Sequence, residues 1–190
     1  MVVRFFALSQ AKGLSMRNIQ TLTTVDAVII SKIALLYCQV WKEPPWNEDF
    51  WREEEVSQTI ADVLRDKSAI IQYCSENEIL SGFCWGYVID REKTREISGN
   101  QLLDEIFSSG KKVFYIAELA VNIGYRKHGI GRQLTQTLLQ KLSATGYEIV
   151  CLRTDVQAHE ARRLYQRLGF QELAIHDAKH LGRTYWLLSL

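Results

Sequence analysis

The residues best suited to chemistry follow a short apolar segment that ends at Val121. A basic turn with two glycines comes next, consisting of Arg126, Lys127, His128, Gly129, Ile130, Gly131 and Arg132. Leucines at every fourth position after this turn predict a helix. A helix start exposes backbone N–H groups without partners and carries about half a positive charge. Phosphate oxygens satisfy both features, so the turn predicts a cradle for a pyrophosphate.

The spacing of the glycines argues against two common kinds of phosphate site. The chain lacks the pattern G-x-x-x-x-G-K-[ST], which is typical of nucleoside triphosphate sites with magnesium. Its glycines also do not fall as G-x-G-x-x-G, the pattern of dinucleotide-binding folds. The pyrophosphate therefore belongs to another class of ligand.

Two motifs carry a resemblance to a known family. Arg126-x-x-Gly129-x-Gly131 after Leu-Ala-Val resembles the acyl-CoA motif of the GNAT superfamily of N-acetyltransferases. Downstream, the segment from Ala161 to Phe170 is similar to that family's fourth-helix signature, A-x-x-L-Y-x-x-x-G-F. Each motif alone has another explanation. The first could be only a solvated basic turn, and the second could be only an amphipathic helix. Together, and in the expected order, they extend the resemblance over residues 16–190.

The resemblance implies acetyl-CoA as co-substrate and assigns it a binding path. Backbone groups of Leu119 and Val121 would contact pantetheine, and the turn from Arg126 through Arg132 would hold the pyrophosphate. The thioester would then lie between Glu118 and Tyr165.

Acetyl transfer to an amine requires proton transfer at two points. An ammonium group with a pKa near ~10.4 must first lose its proton, which costs roughly 4.6 kcal/mol at pH 7. Glu118 could accept it directly or through water, particularly if burial raises its pKa, although it could instead position the substrate. By the resemblance, Tyr165 is the general acid for the leaving thiolate, and a core tyrosine is the alternative. The amine can attack the thioester directly.

Two classes of function remain open at this point. Glu118 and Tyr165 favour an enzyme that acetylates a primary amine. The alternative is a non-catalytic acyl-CoA-binding or sensing domain. It is kept open by Ala158, where many family members carry an asparagine that contacts the cofactor. The acceptor could be a small molecule or a peptide amine, and its identity is not specified.

The region between two predicted helices is the candidate acceptor side. Apolar periodicity predicts a helix over 25–41, opened by Thr23 or Thr24, and a second helix that contains Val56, Ile60, Val63 and Leu64. By the resemblance, the aromatic and acidic bend between them helps to form the acceptor site, with Trp46, Glu48 and Trp51 as candidate binding residues. Its carboxylates could attract cationic acceptors. The alternative to an acceptor site is that the aromatic rings pack in the core and the carboxylates are solvated.

The remaining pattern predicts one α/β domain with a mixed sheet. Strands are expected over 69–74, 79–89, 113–121, 148–153, 170–175 and 184–190, with a helix over 158–168. Gly146 and Gly169 are expected to end helices in the left-handed conformation. Residues 90–112 are an excursion with a short helical pattern at Leu103, Ile106 and Phe107, and it could be a lid or a surface insertion. The resemblance implies a mostly antiparallel sheet flanked by helices, with a splay between the two central strands. Residues 1–15 are a leader or arm, and 16–190 form the acetyltransferase-like domain.

Composition excludes several partners. The 190 residues are 47% hydrophobic and carry a formal net charge of +1, which argues against nucleic acid. The four cysteines and four histidines show no metal-ligand spacing, so no metal is expected. No apolar run is long enough to cross a membrane. The chain is therefore expected to be cytoplasmic and to bind a small partner. Its oligomeric state stays open, a homodimer included.

Overall fold

A computed structural model describes residues 18–98, 106 and 110–190 of the chain. The predicted leader, residues 1–15, lies outside this part. So does most of the predicted helical pattern around Leu103, Ile106 and Phe107, of which Ile106 alone is described and is buried. The predictions of a leader, and of a helix at the centre of the excursion, therefore stay open.

Strands and helices are interspersed along the described chain. The first half contains β1 (Gln20–Leu22), α1 (Ala27–Trp41), α2 (Glu53–Arg65), β2 (Ile70–Glu76), β3 (Ile79–Val88) and α3 (Arg91–Ser98). The second half contains β4 (Val113–Val121), α4 (Ile130–Ala144), β5 (Ile149–Asp155), α5 (His159–Arg167), β6 (Gln171–His176) and β7 (Arg183–Ser189). The predicted central strand is confirmed at both ends.

One sheet organises these elements. Its strands lie in the order β1-β2-β3-β4-β5-β7-β6, and among the described strands β4 and β5 form the one parallel pair. Helices α1 and α2 pack on one face, around Ile33, Tyr37 and Ile60. Helices α4 and α5 pack on the other face, around Leu134 and Tyr165. The predicted mixed, mostly antiparallel sheet flanked by helices is confirmed.

The two central strands separate halfway along their length. Strand β4 pairs with β5 only over Val113 to Ile116, which face Ile149 to Leu152. Beyond Ile116, the rest of β4 pairs with β3 alone, while β5 continues beside β7 as far as Asp155. The gap leaves strand edges available to a ligand, because backbone groups there have no ladder partner. The predicted splay is confirmed.

A β-bulge in β4 lies beside this gap. Trp85 of β3 faces Glu118, whereas the next residue, Gly86, faces Ile116, so Ala117 is the extra residue. Side chains alternate across a strand, and one extra residue moves all that follow to the opposite face. The bulge therefore places Glu118 on the same face of the sheet as Trp85 and Tyr37, the face covered by α1 and α2.

Strand β3 approaches β4 very closely at the bulge. A Cβ atom at Gly86 would lie 2.2 Å from the carbonyl oxygen of Tyr115 and 2.5 Å from the ring of Phe114. Any side chain at this position would push the two strands apart. The bulge thus depends on a glycine in the neighbouring strand.

Local capping corrects one prediction and confirms two others. The cap of α1 is Asp26, not Thr23 or Thr24, because its Oδ1 accepts from the N–H groups of Val28 at 3.0 Å and Ile29 at 3.1 Å. The left-handed glycines are confirmed, since φ is 78° at Gly146 and 91° at Gly169.

The turn between β2 and β3 is tighter than predicted. The strands predicted over 69–74 and 79–89 leave residues 75–78 for the turn, but β2 continues through Glu76. Asn77 and Glu78 alone form the turn, with φ values of 50° and 66°. Two successive left-handed residues match the right-handed twist of a hairpin.

Candidate active site

The turn predicted to hold a pyrophosphate lies at the start of α4. Gly129 precedes this 15-residue helix with φ of 80° and offers no side-chain cap, and Lys127 also has a positive φ of 64°. The first N–H groups of the helix thus receive no hydrogen bond acceptor from a cap side chain. Lys127, His128 and Arg132 are exposed around this end. A pyrophosphate fits this geometry and charge.

The two glycines of the motif serve different purposes. Gly129 provides the left-handed conformation that side chains resist. Gly131 provides space, because a Cβ atom there would lie 3.4 Å from Leu164 of α5 and 3.6 Å from Val121 of β4. A longer side chain at Gly131 would extend between β4 and α5, beside the splay.

Arg126 is held by protein groups on two sides. Its Nε donates to the carbonyl oxygen of Val121 at 3.1 Å, and its Nη1 donates to Glu43 Oε2 at 2.6 Å. These bonds connect the cradle to the end of β4 and to the loop after α1. A contact between Arg126 and phosphate stays a prediction, and it would compete with Glu43 for the guanidinium group.

A cavity of about 180 Å³ opens where β4 and β5 separate. It is lined by Trp41, Trp46, Tyr87, Ile97, Tyr115, Ile116, Ala117, Glu118, Leu119, Arg153, Thr154, Ala161, Tyr165 and Arg183. Both candidate catalytic residues, Glu118 and Tyr165, are therefore at one cavity. Leu119, a predicted pantetheine contact, and Trp46, a predicted acceptor contact, line it too.

Glu118 is the carboxylate of this cavity. Burial raises the pKa of Glu118 to about 8, although Arg153 and Arg183 act in the opposite direction. Glu48 adds to the increase through charge repulsion, and a hydrogen bond from Tyr37 opposes it. A carboxyl group with a pKa close to neutrality is well matched to accept a proton from an amine.

Tyr165 reaches the same cavity from α5. Its ring packs against Phe170 at 5.7 Å and Trp186 at 6.2 Å between centroids, so its position is determined by the core. Burial raises the pKa of the Tyr165 phenol, which therefore keeps its proton at neutral pH. The hydroxyl makes no hydrogen bond to another described residue. Its proton is available to a ligand.

The three predicted acceptor residues come together around Arg183 of β7. Glu48 Oε1 accepts from Arg183 Nη2 at 2.7 Å, and Glu48 Oε2 accepts from Trp51 Nε1 at 2.7 Å. The Arg183 guanidinium lies 5.5 Å from the centre of the Trp46 ring. This cluster connects the loop between α1 and α2 to the opposite side of the cavity.

Basic partners neutralise much of the predicted acidic bend. Glu43 pairs with Arg126, Glu48 with Arg183, and Asp49 with Lys42 at 2.8 Å. Glu53 to Glu55 form the first turn of α2, where they complement the helix dipole. The field available to attract a cationic acceptor is therefore smaller than the sequence indicated.

Two cavity-lining arginines were missed by the sequence reasoning. Arg153 of β5 donates from Nη1 to Asp177 Oδ2 at 2.7 Å, and Tyr185 donates to the same oxygen at 2.5 Å. Burial opposes ionisation of Asp177, but hydrogen bonds that include those from Tyr185 and Arg153 hold its pKa below the usual value. Arg183 of β7 faces Asp155 of β5, two residues after Arg153 in the same strand. This strand pairing brings Arg153 and Arg183 to one cavity, and no local sequence motif indicates it.

Comparison with known proteins identifies the family. A family model described as Acetyltransferase (GNAT) family matches residues 33–170, well over half of the chain. The chain therefore belongs to the GNAT acetyltransferase family.

Similarity to individual relatives covers only part of their length. Mouse N-acetyltransferase family 8 member 3 is 34% identical over 73 residues, 38% of this chain and 32% of the relative. Fission yeast (Schizosaccharomyces pombe) N-alpha-acetyltransferase 30 is 41% identical over 56 residues, 30% of this chain and 37% of the relative. The matches thus span about a third of these curated relatives.

A solved structure supports the fold over nearly the whole chain. The paia N-acetyltransferase from Thermoplasma acidophilum, in complex with coenzyme A, superposes with a TM-score of 0.67. The superposition covers 91% of this chain and 99% of that chain at 11% identity. At this identity the likeness establishes the fold alone.

Residues 18–98, 106 and 110–190 lack both a membrane-spanning helix and a metal-binding cluster. In these ranges, every helix is too short or too polar to cross a lipid bilayer. The same ranges bring together no three His, Cys, Asp or Glu side chains in an arrangement that could hold a metal ion.

Proposed function

We propose that this chain is an N-acetyltransferase that moves an acetyl group from acetyl-CoA to a primary amine. The observation that carries the proposal is the shared cavity of Glu118 and Tyr165 at the separation of β4 and β5. The general activity follows from membership in the acetyltransferase family. Relatives named as N-acetyltransferases support nitrogen as the accepting atom.

Residues of β4 and α4 would hold the co-substrate. The backbone of Leu119 and Val121 borders the splay and would receive the pantetheine arm. The start of α4, from Gly129 through Arg132, would bind the pyrophosphate, with the adjacent His128 beside it and Lys127 adding positive charge. Acetyl-CoA supplies an activated thioester at the cavity.

The protein side chains would move two protons. Glu118 accepts a proton from the acceptor ammonium, and the freed lone pair forms the new C–N bond. As the C–S bond breaks, the Tyr165 hydroxyl donates its proton to the sulfur, and the second proton that the nitrogen loses as the amide forms returns to the Tyr165 phenolate, directly or through water. The acceptor attacks directly, so no covalent enzyme intermediate is needed.

A non-catalytic acyl-CoA-binding domain is the second candidate, and one observation favours it. Ala158 occupies the cap position of α5 and provides no side-chain hydrogen bond there. In many similar proteins, an asparagine at this position contacts the cofactor. The chain could therefore bind acyl-CoA in a manner that does not support turnover.

Release of coenzyme A separates the two candidates. A panel of primary amines, incubated with acetyl-CoA and a thiol reagent, should reveal turnover by the parent protein. Tyr165→Phe keeps the packed ring but removes the proton, so kcat should fall roughly 10² to 10⁴-fold. Tyr147→Phe is the matched control, because this ring packs on Phe114 and does not line the cavity. Tight acetyl-CoA binding without turnover on any amine would support the binding domain instead.

A further inference from the structure

A second cavity lies between α2 and the sheet. Its volume is about 160 Å³, and it is bounded chiefly by Tyr37, Trp51, Val56, Val63 and Trp85. Val56 is almost completely buried, and Val63 is partly exposed. The catalytic scheme described above makes no use of this space.

The two cavities meet at the proposed general base. Tyr87, Ala117 and Glu118 line both of them, and Tyr165 lines only the first. An acceptor nitrogen at Glu118 would therefore have the thioester on one side and the second cavity on the other. A substituent close to that nitrogen can therefore enter the second cavity directly.

Away from Tyr87 and Glu118, which also line the first cavity, the walls of the second cavity offer little to a polar group. The Tyr37 hydroxyl is hydrogen bonded to Glu118, and Trp51 Nε1 donates to Glu48. The Thr59 hydroxyl donates to the carbonyl oxygen of Glu55 at 2.9 Å. Burying a hydroxyl or charged group without partners is costly, so a sugar or a polyamine is a poor match.

The volume and the chemistry of the walls suit an apolar group instead. A cavity of about 150 Å³ lined by aliphatic and aromatic side chains is known to accept benzene. The aliphatic walls here are Val56, Val63 and Ala117, and the aromatic walls are Tyr37, Trp51, Trp85 and Tyr87. A branched aliphatic side chain or a single aromatic ring would fill this space.

We propose that the second cavity binds the apolar side chain of the acceptor. The substrate class is thus a primary amine that carries a branched aliphatic or aromatic group on the carbon next to nitrogen. The inference rests on the proposed acetyltransferase function and adds the chemical class of its acceptor. It is independent of whether that amine is a small molecule or the end of a peptide.

Matched acceptors test the preference directly. The amides of leucine, phenylalanine, glycine and glutamine present the same amine with different side chains. The kcat/KM of the parent should be roughly 10-fold or more higher for leucinamide and phenylalaninamide than for glycinamide and glutaminamide. Equal values across the panel, with turnover present, would overturn the inference and leave the proposed function intact.

Two substitutions should change the preference in opposite directions. Val63→Phe narrows the cavity, so the ratio of kcat/KM for leucinamide over glycinamide should fall roughly 10-fold. Val56→Ala enlarges it, so the ratio for tryptophanamide over leucinamide should rise. Gln58→Phe is the control, since Gln58 is exposed on the same helix and does not line the cavity, and it should retain the parent ratios. Unchanged ratios in both cavity variants would contradict the assignment.

Binding without turnover provides a separate measurement. Leucinamide, titrated in the presence of coenzyme A, should cause a saturable change in the tryptophan fluorescence of the parent, because Trp51 and Trp85 line the second cavity. Val63→Phe should weaken this response, and Gln58→Phe should not. If no amine is acetylated but this pattern is present, the proposed function fails and the apolar site stands. If neither leucinamide nor phenylalaninamide causes a saturable change and neither is acetylated, the apolar site is wrong.

Discussion

Single residues decide how the proposed chemistry depends on pH, and Glu118 is the principal one. Burial raises the pKa of Glu118 to about 8. The group can act as a base only when it is deprotonated, so kcat/KM of the parent should rise with pH and level off above about 8. In Glu118→Gln, activity should be lower at pH 7 and should continue to rise toward the amine pKa of ~10. Rate profiles with one competent amine measure both curves.

The outcome for Glu118 distinguishes two roles. A constant ratio of variant to parent activity from pH 6 to pH 10 would mean that Glu118 positions the acceptor and removes no proton. The dependence of protein stability on pH tests the raised pKa of Glu118 without a substrate. Folding raises the pKa of Glu118 from about 4.5 to about 8. The contribution of this group to the free energy of unfolding is therefore complete below pH 4.5 and is lost as the pH rises to about 8. Glu118→Gln should therefore raise the melting temperature relative to the parent more at pH 8.5 than at pH 4.5.

At the level of elements, the close contact between β3 and β4 maintains the bulge. Gly86→Ala would place a Cβ atom 2.2 Å from the Tyr115 carbonyl oxygen, so the strands must separate where Ala117 is the extra residue. We expect a loss of about 1–3 kcal/mol or more in the free energy of unfolding, and a lower kcat in the fraction that folds. Urea denaturation and acetylation assays measure the two effects.

A control for Gly86 is available elsewhere in the chain. Gly124→Ala should have little effect, because a Cβ atom there would meet only Asn122 Oδ1, at 3.7 Å. If Gly86→Ala were as stable and active as Gly124→Ala, the bulge would not depend on that glycine.

The beginning of α4 provides the second prediction at this scale. Gly131→Leu extends a side chain between Val121 and Leu164, beside the splay, while the backbone conformation needs no positive φ. Coenzyme A affinity should fall roughly 10-fold or more, with a smaller loss of stability, because the side chain occupies ligand space. Calorimetric titration measures the affinity. Ala144→Leu, at the exposed far end of the same helix, should bind as the parent does.

For the whole molecule, the co-substrate should join parts that the sheet leaves separate. Strands β4 and β5 share no ladder beyond Ile116, so this region depends on few backbone contacts. Acetyl-CoA at about 100 times its Kd should stabilise the fold by ~2.7 kcal/mol and raise Tm accordingly. Amide exchange should slow in β4 after Ile116 and at the start of α4, and much less in α2. An unchanged Tm with saturating acetyl-CoA would contradict the proposed binding path.

The sequence by itself determined the features that depend on neighbouring residues. The left-handed turn at Gly129 and the helix start after it follow from backbone conformation, which is a local property. The strand from Val113 to Val121 and the left-handed glycines at Gly146 and Gly169 follow from local pattern as well. Family resemblance extended this to the mixed sheet, the splay and the candidate pair of Glu118 and Tyr165.

Only the tertiary structure decided how distant segments meet. The bulge at Ala117 selects the face on which Glu118 lies, and that register depends on the close approach of Gly86 in another strand. Pairing of β5 with β7 brings Arg153 and Arg183 to one cavity. The packing of α2 against the sheet creates the second cavity. These features arise from strand register and side-chain packing between residues far apart in the chain, and no local pattern encodes them.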